Sequence, residues 1–304
     1  MAIPAFAKRV GKALYLDHWI DLAASTLRLA TLGPRLGVSV AIARRRSARS
    51  GMPLDIVIPV IDKDADTLPY VIDSARKQLR HPITGIYLVC PKESPRIAAI
   101  GAEKGCVLVD EATLLPIGKK DISYTVRGSN RSGWLYQQFL KWCGEKFTKE
   151  ERYLILDSDT VLVSPHVFET GGKLVFDYCD TVHRPYFEAY GRLMGRPPRC
   201  PLSFTSHHTL VDKAAMAELK AELERRSGKT WYEAIIEASD RNEMSSHSDY
   251  DTYGHFFFDT RKDGMVIRYW HNKSLPRAMI ARIEELERQY GGMYRTLSFH
   301  EYRK

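Results

Sequence analysis

Tyr153-Leu154-Ile155-Leu156 runs straight into Asp157-Ser158-Asp159, and Val161-Leu162-Val163 resumes the apolar run one residue later. Four buried-type residues of strand length put the two acids at a strand end, and a spacing of two sends both to one side. In open α/β sheets, ligands bind beyond the C-terminal strand ends. Two convergent carboxylates repel each other unless a cation joins them. Oxygen ligands select Mg2+ or Mn2+ over zinc. Such an ion would bridge a bound diphosphate, neutralise the charge growing on it as it departs, and act as a Lewis acid. An attacking hydroxyl would then need a base if configuration inverts. The plainer reading is a solvated turn after a buried strand, with the acids capping local backbone.

The elements that must position these acids are legible around them. Leu54 to Val60 is a β-branched run of strand length. A polar loop, Asp62 to Asp66, leads to a helix over Leu68–Leu79. Ile86–Cys90 reads as strand, Pro95–Lys104 as helix and Cys106–Val109 as strand. Alternation of this kind, with continuous apolar strands, implies a parallel sheet covered on both faces and joined by right-handed crossovers. A loop around Arg127–Gly133 and a helix over Trp134–Phe147 come before the acidic strand. The second half is less regular. It reads as strands at Lys173–Phe176, Ser203–Leu210 and Met265–Trp270, with helices at Lys213–Arg226, Trp231–Ser239, Tyr250–Phe258 and Pro276–Tyr290. The fold class expected is α/β, a Rossmann-type mixed sheet flanked by helices, with an N-terminal helical arm. The expected division is an arm over 1–50 and one domain over 51–304.

The chain has 304 residues, 44% hydrophobic and 27% charged, enough to bury a sizeable core. Its net charge of +8 is uneven. Residues 1–50 hold nine Lys and Arg and two Asp, a local +7, so the other 254 carry about +1. A basic arm rather than a basic body argues against nucleic acid as a partner. In the arm, Leu16, Trp19, Ile20, Ala23, Leu27 and Ala30 form one apolar helical face, which Gly33-Pro34 is expected to end. Arg44-Arg45-Arg46 follows a short apolar run. Apolar face, tryptophan and cations together suit a helix lying in an anionic membrane surface; the alternative is a helix docked on its own domain. No run reaches the 18 or so apolar residues of a membrane span, and Met1–Leu14 lacks the apolar core of a signal peptide. Five widely spaced cysteines without a Cys-x-x-Cys pair argue against a zinc site and fit a reducing, cytoplasmic setting, peripheral to the inner membrane if the arm binds it.

The chain resembles GT-A-type glycosyltransferases. The opening Ile56-Val57-Ile58-Pro59-Val60 and the central Asp157-Ser158-Asp159 carry the general likeness. Gly133-Trp134-Leu135-Tyr136-Gln137-Gln138-Phe139-Leu140-Lys141, Phe204-Thr205-Ser206-His207-His208 and Ser248-Asp249-Tyr250-Asp251-Thr252-Tyr253-Gly254 are similar to segments of a bacterial branch of GT-A-like proteins. The likeness spans roughly residues 53–275.

It implies transfer of a sugar, of the hexosyl kind, from a nucleotide-diphosphate donor with Mn2+ or Mg2+ as cofactor. Asp157 and Asp159 would hold the metal, with His271 as a third ligand. Val60, Asp62, Arg127, Trp134, Gln137, Lys141 and Ser158 would surround the donor, and Asp249 would be the base. The acceptor would be a glycan or a lipid-linked glycan of the bacterial envelope. Bland alternatives stand beside these roles. Trp134 can be core, Gln137 can cap backbone, Asp249 can cap the helix that follows it, and His207, His208 and His271 can be structural. His183-Arg184-Pro185-Tyr186 and Arg196 to Arg199 form an unmatched loop that could wall the acceptor site. Two rival functions are a phosphatase or phosphotransferase of the haloacid-dehalogenase type, with Asp157 as nucleophile, and a membrane-associated scaffold without turnover.

Overall fold

The structure, a computed structural model, describes residues 15–40 and 48–300. The expectations placed on residues 1–14 and on Arg44-Arg45-Arg46 lie outside the described residues.

Helix α1 (Leu16–Leu36) and a short strand β1 (Ser39–Val40) come first. Gly33-Pro34 does not end α1, because the helix has only two residues left to run. Gly37, at a φ of 65°, closes it by donating to the Pro34 carbonyl. The expected fold pattern then appears in order: β2 (Leu54–Pro59), α2 (Leu68–Gln78), β3 (Ile83–Cys90), α3 (Pro95–Glu103) and β4 (Val107–Asp110). A hairpin of β5 (Thr125–Val126) and β6 (Ser129–Asn130) leads into α4 (Ser132–Trp142). Strands β7 (Arg152–Leu156), β8 (Thr160–Leu162), β9 (Glu169–Thr170) and β10 (Lys173–Tyr178) follow. Next come α5 (Arg184–Met194), β11 (His208–Asp212), α6 (Lys213–Ser227), α7 (Trp231–Ala238) and α8 (Asp249–Arg261). The last elements are β12 (Met265–Tyr269), β13 (Asn272–Ser274), α9 (Ile283–Tyr290) and β14 (Thr296–Ser298).

The central sheet has the order β11-β7-β2-β3-β4. Strands β2, β3, β4 and β7 are parallel, and β11 is antiparallel to β7. The chain winds outward from β2 through β3 to β4, then crosses back to place β7 on the other side of β2. That reversal makes a topological switch point at the C-terminal ends of β2 and β7, where a crevice opens. Ile56, Ile58, Leu154 and Leu156 are fully buried in this sheet, each worth about 1.5–3 kcal/mol of hydrophobic stabilisation. This is the Rossmann-type mixed sheet flanked by helices that the sequence leads one to expect.

Besides the β5-β6 hairpin, the described residues form two smaller sheets: β1-β12-β10-β9 and β13-β14-β8. In the first, β1 pairs in parallel with Val266 and Ile267. In the second, β14 runs antiparallel to β8, pairing Ser298 with Thr160. That pairing matters for the site, since it brings the end of the chain to the acidic loop.

Three expectations were displaced. The loop after Asp180 is largely helix, α5. The expected strand Ser203–Leu210 is regular only from His208, because the Asp251 carboxylate takes the Phe204 N–H and His207 turns to a φ of 57°. The expected helix Pro276–Tyr290 starts as a 3-10 turn, Arg277–Arg282.

Candidate active site

Asp157 and Asp159 stand where β7 ends, at the switch point. The Asp157 N–H donates to the His207 carbonyl at 3.0 Å, and the Thr160 N–H closes the turn on the Asp157 carbonyl. Asp157 is heavily engaged. Its Oδ1 lies 2.8 Å from Lys141 Nζ and accepts from the Tyr250 hydroxyl at 2.7 Å. Its Oδ2 is 3.0 Å from His207 Nδ1. Asp159 Oδ2 is 2.8 Å from His300 Nδ1, and its carbonyl accepts from the Phe299 N–H. The His207 and His300 rings lie 4.5 Å apart, so the two carboxylate–histidine pairs converge.

The electrostatics follow from these contacts. Burial pushes the Asp157 carboxyl up, but Lys141 and His207 outweigh it and hold it below the usual carboxylate range. Burial also raises Asp159, and His300 outweighs that in turn. The His300 imidazole is correspondingly raised by Asp159 against its own burial. Both carboxylates are therefore ionised and partly open, with side chains 17% and 18% exposed.

Lys141 reaches the cluster from α4. It lies under the Tyr250 ring at 4.2 Å and also 3.5 Å from Asp249 Oδ2. One turn earlier, the Gln138 Oε1 accepts from the Asp249 N–H at 2.9 Å. Helix α8 begins at Asp249, and its cap is Ser248, whose Oγ accepts from the Asp251 N–H. Asp249 is thus not the capping residue. It is buried, and burial, with repulsion from Asp157 added, pushes its carboxyl up to about 6 even against Lys141. Asp251, the next acid, fastens α8 to the segment before β11 through Ser203, Phe204 and Thr205.

The remaining expected residues fall as follows. Val60 is buried at the end of β2, and Asp62 is exposed at the start of a 3-10 turn, Asp62–Asp64. This loop abuts the acidic loop: Ser158 Oγ donates to Asp64 Oδ2, and Thr67 Oγ1 donates to the Ser158 carbonyl. The Ser158 hydroxyl is therefore turned inward to Asp64, which Arg277 also holds. Trp134 is half-buried beneath the Arg131 guanidinium at 4.7 Å, and Gln137 is half-buried one turn on. Arg127 is exposed at the tip of the β5–β6 hairpin, at a φ of 49° beside Gly128 at 79°, the two positive values a tight hairpin turn requires. His271 lies elsewhere: its Nε2 is 3.0 Å from His18 Nδ1, and the two rings stack beneath α1. The histidine beside Asp159 is His300.

Three participants had no site role assigned from the sequence: His207, which read as structural, Tyr250 and His300. Tyr250 and His207 sat inside recognised segments without an assigned role. His300 lay beyond them, and only the β8–β14 pairing brings it in. A cavity of about 480 Å³ opens beside this cluster, lined by His207, His300, Trp270, Tyr186, Asp180 and Thr205 among others. His183 and Tyr186 of the unmatched loop reach it, whereas Arg184 is exposed and paired with Glu188.

Two carboxylates and two imidazoles at one crevice are a mixed oxygen and nitrogen donor set. It suits Mn2+, which takes imidazole more readily than Mg2+ does. Among the described residues, the three ligand atoms already within 4.8 Å of one another belong to another group, His166, Asp177 and His208. There Arg268 grips both Asp177 oxygens, at 2.5 and 2.7 Å, and Arg295 is buried nearby. A cation would add to two guanidinium charges, so that group does not fit a metal.

The α/β sheet, with ionised carboxylates at its switch point, is of the Rossmann type. The chain belongs to a family of unknown function (DUF6492), whose model matches residues 54–285. No curated protein matches it by sequence. Solved structures similar to it include the galactosyltransferase LgtC in complex with donor and acceptor sugar analogs, at 14% identity and a TM-score of 0.45 over 83% of this chain and 88% of that one. Mouse xyloside xylosyltransferase 1 gives 14% identity and 0.46 over 81% and 97%. Glucosyl-3-phosphoglycerate synthase from Mycobacterium tuberculosis, in complex with Mn2+, uridine diphosphate and phosphoglyceric acid, gives 15% and 0.44 over 77% and 76%.

Proposed function

We propose that this chain is a glycosyltransferase that takes a sugar from a nucleotide-diphosphate donor, with Mn2+ or Mg2+ held at Asp159 and Asp157. The observation that carries the proposal is the pair of ionised, partly exposed carboxylates at the switch point, each held by a histidine. His300 would complete the metal's ligands in place of His271. When bound, the metal would supply charge neutralisation for the departing diphosphate.

The chain's own residues do the rest. Lys141 balances Asp157 and Asp249 at once, so it holds two carboxylates close together without protonating either at neutral pH. Asp249 is the proposed base. A carboxyl raised to about 6 is still ionised at pH 7, yet accepts a proton more readily than an ordinary aspartate. The loop 60–64 and the α4 face of Trp134 and Gln137 are the proposed walls for the nucleotide. Arg127 is proposed as a phosphate contact brought in by its hairpin.

The acceptor proposed is a glycan carried on a lipid, at the cytoplasmic face of a bacterial inner membrane. Support comes from α1, which packs inward through His18, Ser25, Leu29 and Gly33. Its opposite face exposes Leu16, Trp19, Ile20 and Leu27. That is the apolar stripe of the sequence, turned outward and flanked by Arg28 and Arg35, an arrangement suited to an anionic lipid surface. No helix among the described residues is long and apolar enough to cross a membrane.

The test is hydrolysis of a panel of nucleotide-diphosphate sugars, with and without Mn2+. Slow Mn2+-dependent release of one nucleoside diphosphate is the expected outcome. No release from any donor, with the protein folded, would remove the proposal. A phosphoenzyme at Asp157 would replace it with the phosphotransferase reading.

A further inference from the structure

Between α1 and the body lies a second, larger cavity of about 920 Å³, at the upper end of what small-molecule sites span. Its wall is mostly hydrocarbon: Leu22 and Leu29 from α1, Val38 and Val40 from β1, Met293 and Tyr294 from the segment before β14. The rings of Trp19 and Tyr269 stand at its edges, with Trp19 more than half exposed. Some of its polar side chains are tied to each other or to backbone, while Ser164 Oγ and Arg295 Nε are buried without a hydrogen-bond partner. His18 pairs with His271, and Arg295 donates to the Pro165 carbonyl.

The cavity adjoins the site cleft. Tyr269 lines both. Beyond it, successive residues alternate, as an extended segment requires: Trp270 lines the cleft beside His207, and His271 lines the apolar cavity. One layer of side chains therefore separates the two spaces. A molecule with a polar head in the cleft can place an attached apolar chain along α1, whose exposed stripe supplies the lipid-facing side.

We propose that this cavity binds the hydrocarbon tail of a lipid-linked acceptor and so presents its sugar or phosphate head to the cleft lined by His207 and His300. The proposal rests on the glycosyltransferase reading for the role of the head, but not for the binding of the tail. Tail burial is hydrophobic, so each added methylene strengthens binding about fourfold until the cavity is filled. The competing occupant is the chain's own N-terminal segment, residues 1–14.

The experiment uses the full chain and no nucleotide sugar, which separates its failure from failure of the glycosyltransferase reading. A long-chain fatty acid carrying a diazirine and an alkyne is photo-crosslinked to the protein and the adducts are mapped. Alkyl glycosides of increasing chain length, below their micelle concentrations, compete. Adducts concentrated on residues 22–40 and 291–295, with competition that strengthens with chain length and then levels off, are expected. Free sugar does not compete. Ala30→Trp and Thr26→Trp, which add bulk at the cavity wall, cut labelling by about fivefold or more if the tail fills the site; circular dichroism and melting check that they fold.

Scattered adducts, or labelling indifferent to both substitutions in folded protein, would overturn the proposal. So would labelling that appears only after residues 1–14 are removed, since the cavity would then belong to the chain's own terminus.

Discussion

The molecule holds two clusters of aspartate and histidine, and they differ in what balances the charge. At Asp177, burial is complete, Arg268 takes both carboxylate oxygens, and His208 adds a bond at 2.7 Å. Burial pushes that carboxyl up, but Arg268 and His208 hold it far below the usual range. The carboxylate is already outweighed by the guanidiniums of Arg268 and Arg295, which leaves no place for a cation. At Asp157 and Asp159, partners are a lysine and two histidines, the carboxylates stay partly exposed, and both histidines line a cleft. Compactness alone would choose the first cluster as a metal site. Charge balance and access favour the second, which is the proposed site.

Substitution separates the two. The largest effect is expected from Asp177→Ala, which leaves Arg268 charged and buried. The cost is about 3–5 kcal/mol, a fall of roughly 6–10 °C in melting temperature, with no response to Mn2+ in either protein traceable to this site. A melting temperature within a degree or two of the parent would show that the cluster is not structural.

Asp159→Asn should do the reverse. It keeps the fold but lowers Mn2+-dependent donor hydrolysis by about a hundredfold, near 2.7 kcal/mol of transition-state stabilisation. Loss of folding in place of activity would merge the two clusters into one class.

Protonation sharpens the cleft's chemistry. If Asp249 accepts the proton, transfer to an acceptor falls about tenfold per pH unit below its pKa of about 6 and levels off above it. The sign follows from its raised pKa: the ionised form, which is the base, is the one lost as pH drops. The neutral form is favoured by burial, so this carboxyl contributes stability at low pH that fades as pH rises through about 6. Asp249→Asn should remove the limb along with most transfer. A limb that persists unchanged would assign it to another group.

The smallest effect distinguishes two histidines. His300→Gln should weaken Mn2+ affinity about tenfold, whereas His271→Gln should leave it unchanged within about twofold, measured by Mn2+ titration. Equal effects would return His271 to the metal.

Much of this architecture could be read before any coordinates. Strand-length apolar runs at 54–60, 86–90 and 153–156 have one stable arrangement when helices separate them, and β2, β3 and β7 form close to those bounds. The acidic pair was legible because a buried strand ended in it. Capture of Lys141 by both Asp157 and Asp249 was not, since it depends on how α4 and α8 meet over the sheet. His300 was hidden for the same reason: β14 finds β8 across some 135 residues of chain. Helix α1 was legible in part. Its periodicity was correct, but the apolar stripe is the outer face, and a half-polar stripe with His18 and Ser25 packs inward. Periodicity locates a face without saying what the face meets. Packing of Gly33 decides it here, since a Cβ there would stand 2.5 Å from Val40.

The central claim is that Asp157 and Asp159 hold a divalent ion and, through it, a nucleotide diphosphate. Thermal melting of the full chain with uridine and guanosine diphosphate sugars, each with and without Mn2+, tests it most directly. One donor at about a hundred times its dissociation constant should raise the melting temperature by about 5 °C, only with Mn2+ present, and Asp159→Asn should abolish the rise. Equal shifts without the metal, or an undiminished shift in Asp159→Asn, would contradict the account.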